Sequence, residues 1–258
     1  MTGPLRSSEP STGTGSAGPS PASKIRPLRA VPGPGDEDPD GFLARLSPPD
    51  RAALQALGTI RRYRAGRFIM LEGDRISHLL ILREGRVKVT STTPDGRELL
   101  LAVRGPGELI GELSALGDPQ ATCSAAVEAI DPLVAHVLPR DVFLDYIERH
   151  PGAFVAVTRT IIERLKGAQR RRMEFGSYDT PKRVARALVE LAEKHGHPTA
   201  DGIEIGLSLS QEELAGLITA SRESVARSLT ALRRRGLVST ARRSIVVHDL
   251  DGLRRFGG

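Results

Sequence analysis

The segment 209–235 constrains the fold more than any other, because its pattern predicts two short helices joined by a tight turn. Ser210 and Glu213 have the spacing of a capping box, in which each side chain accepts a hydrogen bond from the backbone amide of the other residue. Ser221 is a preferred N-cap for the second helix. The second helix also has an apolar face that can be buried, which comprises Val225, Leu229 and Leu232.

The opposite face of the second helix is polar and mostly cationic, with Glu223, Arg227, Thr230 and Arg234. Arginine can donate to O6 and N7 of guanine together, and glutamate can accept from N4 of cytosine, so such a face suits the major groove of DNA. An ordinary surface helix with a solvated charged face would show the same periodicity. The local charge favours DNA, because residues 220–258 contain nine arginines against three acidic residues.

The stretch SRESVARSLTALRRRGLV, which begins at Ser221, closely resembles the helix-turn-helix of the cyclic-AMP receptor protein/FNR (Crp/Fnr) family of bacterial transcription regulators. The resemblance implies that Arg222, Glu223 and Arg227 contact base edges and that Ser221 belongs to the same DNA interface. It extends over roughly residues 42–250. Thr219 departs from the family, which usually has glycine at this turn position, and a β-branched residue disfavours a positive φ.

Composition argues against several other classes of protein. The formal net charge of +6 favours a polyanionic partner. The single cysteine, Cys123, allows no internal disulfide and no cysteine metal cluster. No apolar run approaches the length of a membrane span and no hydrophobic signal core begins the chain, so we expect a cytoplasmic protein. We find no P-loop, nucleophile elbow or catalytic carboxylate pair, and expect no enzyme. His195 and His197 fall in a predicted exposed loop, so no metal site is expected.

The N-terminal half is expected to contain a tail and a β domain. Residues 1–40 are rich in Gly, Pro, Ser and Thr and are predicted to be disordered. A short helix at 51–57 precedes short strands with glycine turn signals, which are typical of a small sandwich or barrel. The runs GRFIMLEGD, LREGRVKV and PGELIGEL resemble the cyclic nucleotide-binding β-roll of the same family. The predicted strands cover 68–71, 79–82, 87–90, 99–103 and 133–137.

A candidate ligand site begins at Gly111, Glu112 and Leu113, which match the G-E-L of relatives that bind cyclic AMP. Those relatives have R-S-A about ten residues later. Cys123 and Ser124 stand there in this chain, so the arginine that would pair with the cyclic phosphate is absent. Its loss should cost about 1.5–3 kcal/mol. The sequence leaves open a cyclic nucleotide with a substitute cation, another effector such as cyclic di-GMP, or no ligand. Cys123 is interpreted as a small buried residue rather than a redox sensor.

Residues 151–175 are predicted to form one long helix that resembles the dimerisation helix of the family, a short parallel coiled coil. Packing against the β-roll alone is the alternative. Ala168 and Gln169 stand where relatives that bind cyclic AMP have Thr-Ser against the adenine. The arginines at 170–172 are either a solvated face or cations for a more anionic ligand. The seven-residue repeat comprises Phe154, Ile161, Ala168 and Phe175, with Thr158 and Leu165 beside it.

The last part of the chain surrounds the helix pair with further predicted elements. Thr180 and Pro181 are expected to cap a helix at 182–195, and a short strand at 203–207 leads into the helix pair. A hairpin within 236–247 forms the wing, and Arg242 and Arg243 at its tip suit contact with phosphates. A final helical turn at 250–256 packs against the domain.

The sequence as a whole predicts an α+β fold with a jelly-roll-like sensor domain at 41–150, a dimerisation helix at 151–176 and a winged helix-turn-helix domain at 177–258. The resemblance implies a homodimer that binds double-stranded DNA at a palindromic operator containing TGTGA or a close variant. It also implies RNA polymerase as a further partner and a cyclic nucleotide as effector. The alternatives are a cyclic-nucleotide module unconnected with promoters and a nonspecific, nucleoid-type DNA binder. The sequence does not distinguish an activator from a repressor.

Overall fold

The structure is a computed structural model that describes residues 38, 39, 41–75, 77–118, 120–207, 209–241 and 244–258. The predicted tail at 1–40, apart from Asp38 and Pro39, lies outside the described residues. Arg242 and Arg243, the predicted phosphate contacts of the wing, also lie outside them. We number the α-helices and β-strands of the described residues in chain order.

The first part of the described chain consists of a short helix followed by eight antiparallel strands. Helix α1 (Pro48–Gln55) begins at Ser47, whose side chain accepts a hydrogen bond of 3.3 Å from the amide of Asp50, and prolines occupy its first turn. The strands are β1 (Thr59–Tyr63), β2 (Phe68–Met70), β3 (His78–Glu84), β4 (Val87–Thr92), β5 (Glu98–Arg104), β6 (Leu109–Ile110), β7 (Ala126–Ala129) and β8 (Leu133–Pro139).

These strands form two four-stranded sheets, in the orders β1-β8-β3-β6 and β2-β7-β4-β5. Apolar side chains from both sheets fill one core between them, including Leu82, Val87 and Leu133. Gly85 joins β3 to β4 with a φ of +77°, and a Cβ at this position would lie 2.4 Å from the carbonyl oxygen of Pro132. Turn geometry therefore requires glycine here. The predicted jelly-roll-like β-roll is confirmed.

Three further helices accompany the β-roll. Helix α2 (Glu112–Leu116) lies between β6 and β7, and helices α3 (Arg140–Arg149) and α4 (Pro151–Ser177) follow β8 in the chain. Helix α3 was not predicted from the sequence; it has three buried residues on a short amphipathic face. Those residues join the first half of α4 in a second core with α1. The members from α3 and α4 include Phe143, Tyr146, Ile147, Ala153, Ala156 and Val157.

The predicted long helix is confirmed, and Phe154, Ala168 and Phe175 of its predicted repeat are exposed. Ile161 is half-buried and packs against the core of its own chain, whereas Ile162 is exposed. One member of the predicted repeat, Ile161, therefore packs on the β-roll side of the helix, and Ile162 is exposed instead. The exposed apolar residues of α4 are Phe154, Val155, Ile162, Leu165, Met173 and Phe175.

The C-terminal part is a small helical domain with a four-stranded antiparallel sheet in the order β11-β12-β10-β9, which confirms the predicted winged helix-turn-helix and the α+β class. Its core combines apolar side chains of α5, α6, α7, α8 and the sheet. The elements are α5 (Thr180–His195), β9 (Gly196–Thr199), β10 (Gly202–Ile205), α6 (Gln211–Ile218), α7 (Arg222–Arg234), β11 (Val238–Ala241), β12 (Ser244–Val247) and α8 (Leu250–Gly257).

Two local predictions in this domain are wrong. The N-cap of α5 is Asp179, whose carboxylate accepts a hydrogen bond of 3.1 Å from the amide of Lys182, so Thr180 already belongs to the helix. The predicted loop around the two neighbouring histidines is a helix end and a strand: His195 ends α5 and His197 lies on β9. Strand β9 tolerates its proline because it is the edge of the sheet.

The C-terminal domain packs directly on strand β5 of the β-roll. Leu100 and Val103 of β5 are buried in the core of the C-terminal domain rather than in that of the roll. Helix α6 approaches closely, because a Cβ on Gly216 would lie 2.9 Å from the backbone nitrogen of Leu100. The ammonium of Lys88 on β4 adds an ion pair of 3.1 Å with Glu213 of α6. The β4–β5 hairpin therefore fixes the position of α6.

We predict that Gly216→Ala destabilises the protein by about 1–3 kcal/mol, because the added methyl group overpacks α6 against the backbone of β5. Gly167→Ala is the matched control, since the nearest neighbour of its added methyl group would be a flexible Arg171 guanidinium atom at 3.7 Å. The control should gain up to about 1 kcal/mol from helix propensity. Urea unfolding of both variants provides the measurement, and equal stabilisation of the two would contradict the close approach.

Candidate nucleic-acid interface and ligand pocket

Helix α6 begins with the predicted capping box. The amide of Glu213 donates to Oγ of Ser210 over 3.1 Å, and the amide of Ser210 donates to the carboxylate of Glu213 over 2.7 Å. Burial would raise the pKa of Glu213, but the hydrogen bonds from Ser210 and the charge of Lys88 outweigh it and lower that pKa. The carboxylate is thus held ionised, which allows it to cap the helix and pair with the β4–β5 hairpin at once.

The turn between α6 and α7 depends on Thr219, which has left-handed backbone angles of φ +54° and ψ +57°. It is the single non-glycine residue with positive φ among the described residues. Arg183 of α5 supports this turn, because its guanidinium donates to the carbonyl oxygens of Ile218 at 2.8 Å and Thr219 at 3.2 Å. A cation at these carbonyls also complements the negative end of the α6 dipole.

We predict that Thr219→Gly stabilises the protein by about 1 kcal/mol, because glycine adopts left-handed angles without the strain of a β-branched side chain. Thr219→Asn should fall between the two, since asparagine tolerates this region better than threonine. Denaturant unfolding at constant protein concentration measures the series. A glycine variant no more stable than the threonine protein would indicate that the hydroxyl or methyl group makes compensating contacts.

Helix α7 has one buried face and one exposed face, as its periodicity predicts. Oγ of Ser221 accepts a hydrogen bond of 3.2 Å from the amide of Ser224, so Ser221 is the predicted N-cap. The residues of the buried face, Val225, Leu229 and Leu232, are at most 3% exposed. The core of the C-terminal domain therefore holds α7 by this face.

Three side chains predicted to contact bases project from the other side of α7: Arg222, Glu223 and Arg227 are all exposed. Within the described residues neither arginine forms an ion pair; the guanidinium of Arg227 donates to Oγ of Ser224 over 2.9 Å. A hydrogen bond from its own amide, one from Ser221 and the nearby arginines lower the pKa of Glu223. At neutral pH the helix therefore presents ionised donors and an ionised acceptor.

The candidate ligand pocket brings the start of α2 against the middle of α4. Gly111 has a φ of +94° and precedes Glu112, which is 2% exposed. The carboxylate of Glu112 pairs with the guanidinium of Arg164, which also donates to the carbonyl of Leu109 over 2.7 Å. Leu113 is 55% exposed beside this pair. Arg164 was not predicted from the sequence, although it lies one helical turn before Ala168 and Gln169.

The other predicted pocket residues differ in exposure, and Oγ of Ser114 on α2 donates to the carbonyl of Thr122, just before Cys123, over 3.0 Å. Cys123 is buried in the core of the β-roll, where burial raises the pKa of its thiol. Its amide donates to the carbonyl of Asp74 over 2.7 Å, so its backbone is also engaged. Ser124 is exposed, and Gln169 is exposed further along α4. Residues 120–128 contain no lysine, arginine or histidine, so this segment supplies no cation for a phosphate.

Two features are absent from the part of the chain that the structure describes. None of its histidine, cysteine, aspartate and glutamate side chains form a group of three or more that could hold a metal ion. No described helix is long and apolar enough to cross a membrane.

Comparison with known proteins agrees with both halves of this architecture. The family model of the cyclic nucleotide-binding domain matches residues 60–150, and that of the Crp-like helix-turn-helix domain matches residues 182–256. The chain is 32% identical over 215 residues to the CRP-like cAMP-activated global transcriptional regulator of Mycobacterium tuberculosis, covering 83% of this chain and 95% of the relative.

Solved structures show the same fold. The CRP-family transcriptional regulator TTHB099 of Thermus thermophilus is 30% identical, with a TM-score of 0.65 over 77% of this chain and 96% of that one. The c-di-GMP responsive global regulator CLP of Xanthomonas campestris has a TM-score of 0.69 at 22% identity, over 79% of this chain and 100% of that one. At this identity the second likeness concerns the fold alone.

A β-roll joined through a long helix to a winged helix-turn-helix defines the class of DNA-binding transcription regulators that carry a cyclic nucleotide-binding domain. The matched domains and the relative from M. tuberculosis place the chain more narrowly. It belongs to the Crp/Fnr family of transcription regulators.

Proposed function

We propose that this protein is a homodimeric regulator that binds a palindromic operator through α7 in the major groove. The observation that carries the proposal is the helix itself, whose apolar face is buried while Arg222, Glu223 and Arg227 are exposed on the other side. Arginine and glutamate there would read guanine and cytosine edges. Ser221 lies at the N-terminus of α7, where backbone amides suit a phosphate. Arg242 and Arg243 of the wing would add phosphate contacts.

The dimer proposal rests on α4. Val155 and Ile162 are seven residues apart, as are Thr158 and Leu165, and all four are exposed. This spacing of three and four residues suits a coiled-coil seam between two copies of α4. Two copies would present two α7 helices about one turn of DNA apart, which corresponds to a palindromic site.

The proposed effector is a cyclic nucleotide, with Glu112 and Arg164 in its pocket and Gly111, Leu113 and Gln169 around it. The relative from M. tuberculosis is described as cAMP-activated, which supports a mononucleotide. We also propose a cytoplasmic location and contact with RNA polymerase at promoters. The function is regulatory rather than catalytic.

We predict that Arg222→Ala weakens binding to a palindromic TGTGA probe by about 1–3 kcal/mol and relaxes the base preference at the contacted position. Fluorescence anisotropy with the palindrome and with single-base variants measures both effects. Arg97→Ala is the control, because this exposed arginine lies in the β4–β5 turn and pairs with Asp95 at 2.7 Å. Unchanged affinity and preference in Arg222→Ala would refute the proposed base contact.

The wing arginines provide a contrasting pair of variants. Arg242→Ala and Arg243→Ala should weaken operator and random DNA alike, and each should reduce the slope of log affinity against log salt by about one. A loss confined to the operator sequence would instead assign a base contact to the wing.

We predict that Leu165→Glu converts the dimer to a monomer, because it places a charge in the apolar seam of α4. Lys166→Glu is the control, since this neighbouring residue is exposed and pairs with Glu163 on the helix surface. Sedimentation velocity at micromolar concentration distinguishes the two. A Leu165→Glu protein that remains dimeric would show that another surface joins the copies.

A further inference from the structure

The side chain of Arg183, near the start of α5, contacts three separate segments of the chain. Its guanidinium carbon lies 4.9 Å from the ring centre of Phe175, near the end of α4. Nη2 donates to Oγ1 of Thr180 over 3.3 Å. Nη1 donates to the carbonyl oxygens of Ile218 at 2.8 Å and Thr219 at 3.2 Å. One cation therefore connects α4 and α5 with the turn between α6 and α7.

The two outer nitrogens of Arg183 make all of these hydrogen bonds. Nε is buried, and none of the described residues accepts a hydrogen bond from it. A buried donor without an acceptor is unfavourable, so the contacts of Nη1, Nη2 and the aromatic ring must outweigh it. Hydrogen bonds from a charged donor are the stronger kind, and a cation over an aromatic ring adds to them. The geometry therefore favours a guanidinium held in one place.

The turn that receives these hydrogen bonds needs support. Thr219 has left-handed backbone angles, which are unfavourable for a β-branched residue and persist only where the surrounding structure holds them. On the side of α6, the amides of Thr219 and Ala220 donate to the carbonyls of Gly216 at 3.2 Å and Ala215 at 2.9 Å. Arg183 holds the turn from the side of α5.

The turn leads directly to the part of α7 that carries the proposed base contacts. Ser221, two residues after Thr219, caps the helix, and Arg222 and Glu223 follow at once. The buried core of the domain includes α7 only from Val225 onward. The turn therefore places the first residues of α7, and the core places the rest of the helix.

We propose that Arg183 is a positioning residue for base recognition. By holding the turn it fixes the direction in which Arg222 and Glu223 leave the helix, and it does so without contacting a base itself. This inference rests on the proposed operator binding by α7. Bidentate recognition of a guanine edge requires a fixed donor geometry, whereas attraction to phosphates does not. A displaced start of α7 therefore lowers affinity for the operator more than affinity for random DNA.

A direct contact between Arg183 and a DNA phosphate is the alternative, and it predicts a different pattern. Loss of a phosphate contact weakens all sequences alike and reduces the slope of log affinity against log salt by about one. Loss of a positioning contact weakens the operator selectively and leaves that slope unchanged. Both outer nitrogens of Arg183 already donate to protein oxygens, which favours the positioning role.

Arg186 provides the matched control, because it lies three residues further along α5 and makes the same kinds of contact. Its guanidinium pairs with Glu174 of α4 at 2.8 Å and lies 5.0 Å from the ring centre of Tyr178. It also donates to the carbonyl of Gly258 over 2.9 Å. Arg186→Gln therefore removes a comparable cation between helices without changing these contacts of Arg183 with the turn.

The test compares Arg183→Gln, Arg183→Lys and Arg186→Gln in the full-length protein by fluorescence anisotropy. The probes are the palindromic TGTGA site, its single-base variants and random DNA, at several salt concentrations. Arg183→Gln should lose affinity for the operator by about 5- to 150-fold, the effect of one mismatched base pair, and keep its affinity for random DNA. Arg183→Lys should recover part of the loss, because an ammonium can donate to the same carbonyl oxygens. Arg186→Gln should retain the specificity of the unmodified protein.

The Thr219→Gly variant provides a second readout. Glycine adopts left-handed angles without strain, so the turn depends less on the guanidinium. Arg183→Gln should therefore lose less operator affinity in the Thr219→Gly background than in the unmodified protein, and a double-mutant cycle measures this coupling. Urea unfolding verifies that each variant is folded under the binding conditions, and Arg183→Lys takes the place of Arg183→Gln if the latter is not.

Three results would overturn the inference. They are an unchanged base preference in Arg183→Gln, an equal loss for operator and random DNA with a reduced salt slope, and an equal loss in both backgrounds at position 219. The unmodified protein separates this inference from the proposed function. If it does not distinguish the operator from random DNA, the proposed operator binding is wrong. If it does, and the Arg183 variants keep its specificity, only the positioning role is wrong.

Discussion

The contact between helix α6 and strand β5 joins the two halves of this chain, and the position of helix α7 depends on it. Leu100 and Val103 leave the core of the β-roll and complete the core of the C-terminal domain. Gly216 allows α6 to approach the backbone of β5. Since α6 and α7 share one core, any shift of the β4–β5 hairpin would move the exposed face of α7 with it.

The need to neutralise a buried carboxylate is the second constraint on the structure. Glu112 is nearly inaccessible to solvent, and an unpaired carboxylate there would be costly, so Arg164 must come from α4 to neutralise it. That pairing holds α4 against the candidate ligand pocket. Arg164 lies beyond the last buried residue of α4, Thr160, so the core no longer fixes the helix at this point.

Predictions from the sequence were accurate where the signal is local. The capping box of Ser210 and Glu213 and the N-cap Ser221 depend on residues three positions apart, and both are observed. Predictions failed where the local structure depends on contacts with distant parts of the chain. Strand β9 exists because it pairs with β10, and Ile161 departs from the exposed repeat of α4 because it packs against the core of its own chain. Helix α3 has too short an apolar pattern to be distinguished without the surface that it covers.

The sequence by itself determined the helix pair, the buried stripe of α7, the long helix and the family resemblance, because each depends on periodicity or on spacing within a few residues. It also determined that the segment after α2 lacks a phosphate cation. Only the tertiary structure decided which cation neutralises Glu112, since Arg164 lies 52 residues away in the chain and reaches it through the packing of α4 on the β-roll. Packing likewise decided the docking of α6 on β5. The sequence alone gives no reason for a glycine at position 216, because the reason is the backbone of β5 that lies against it.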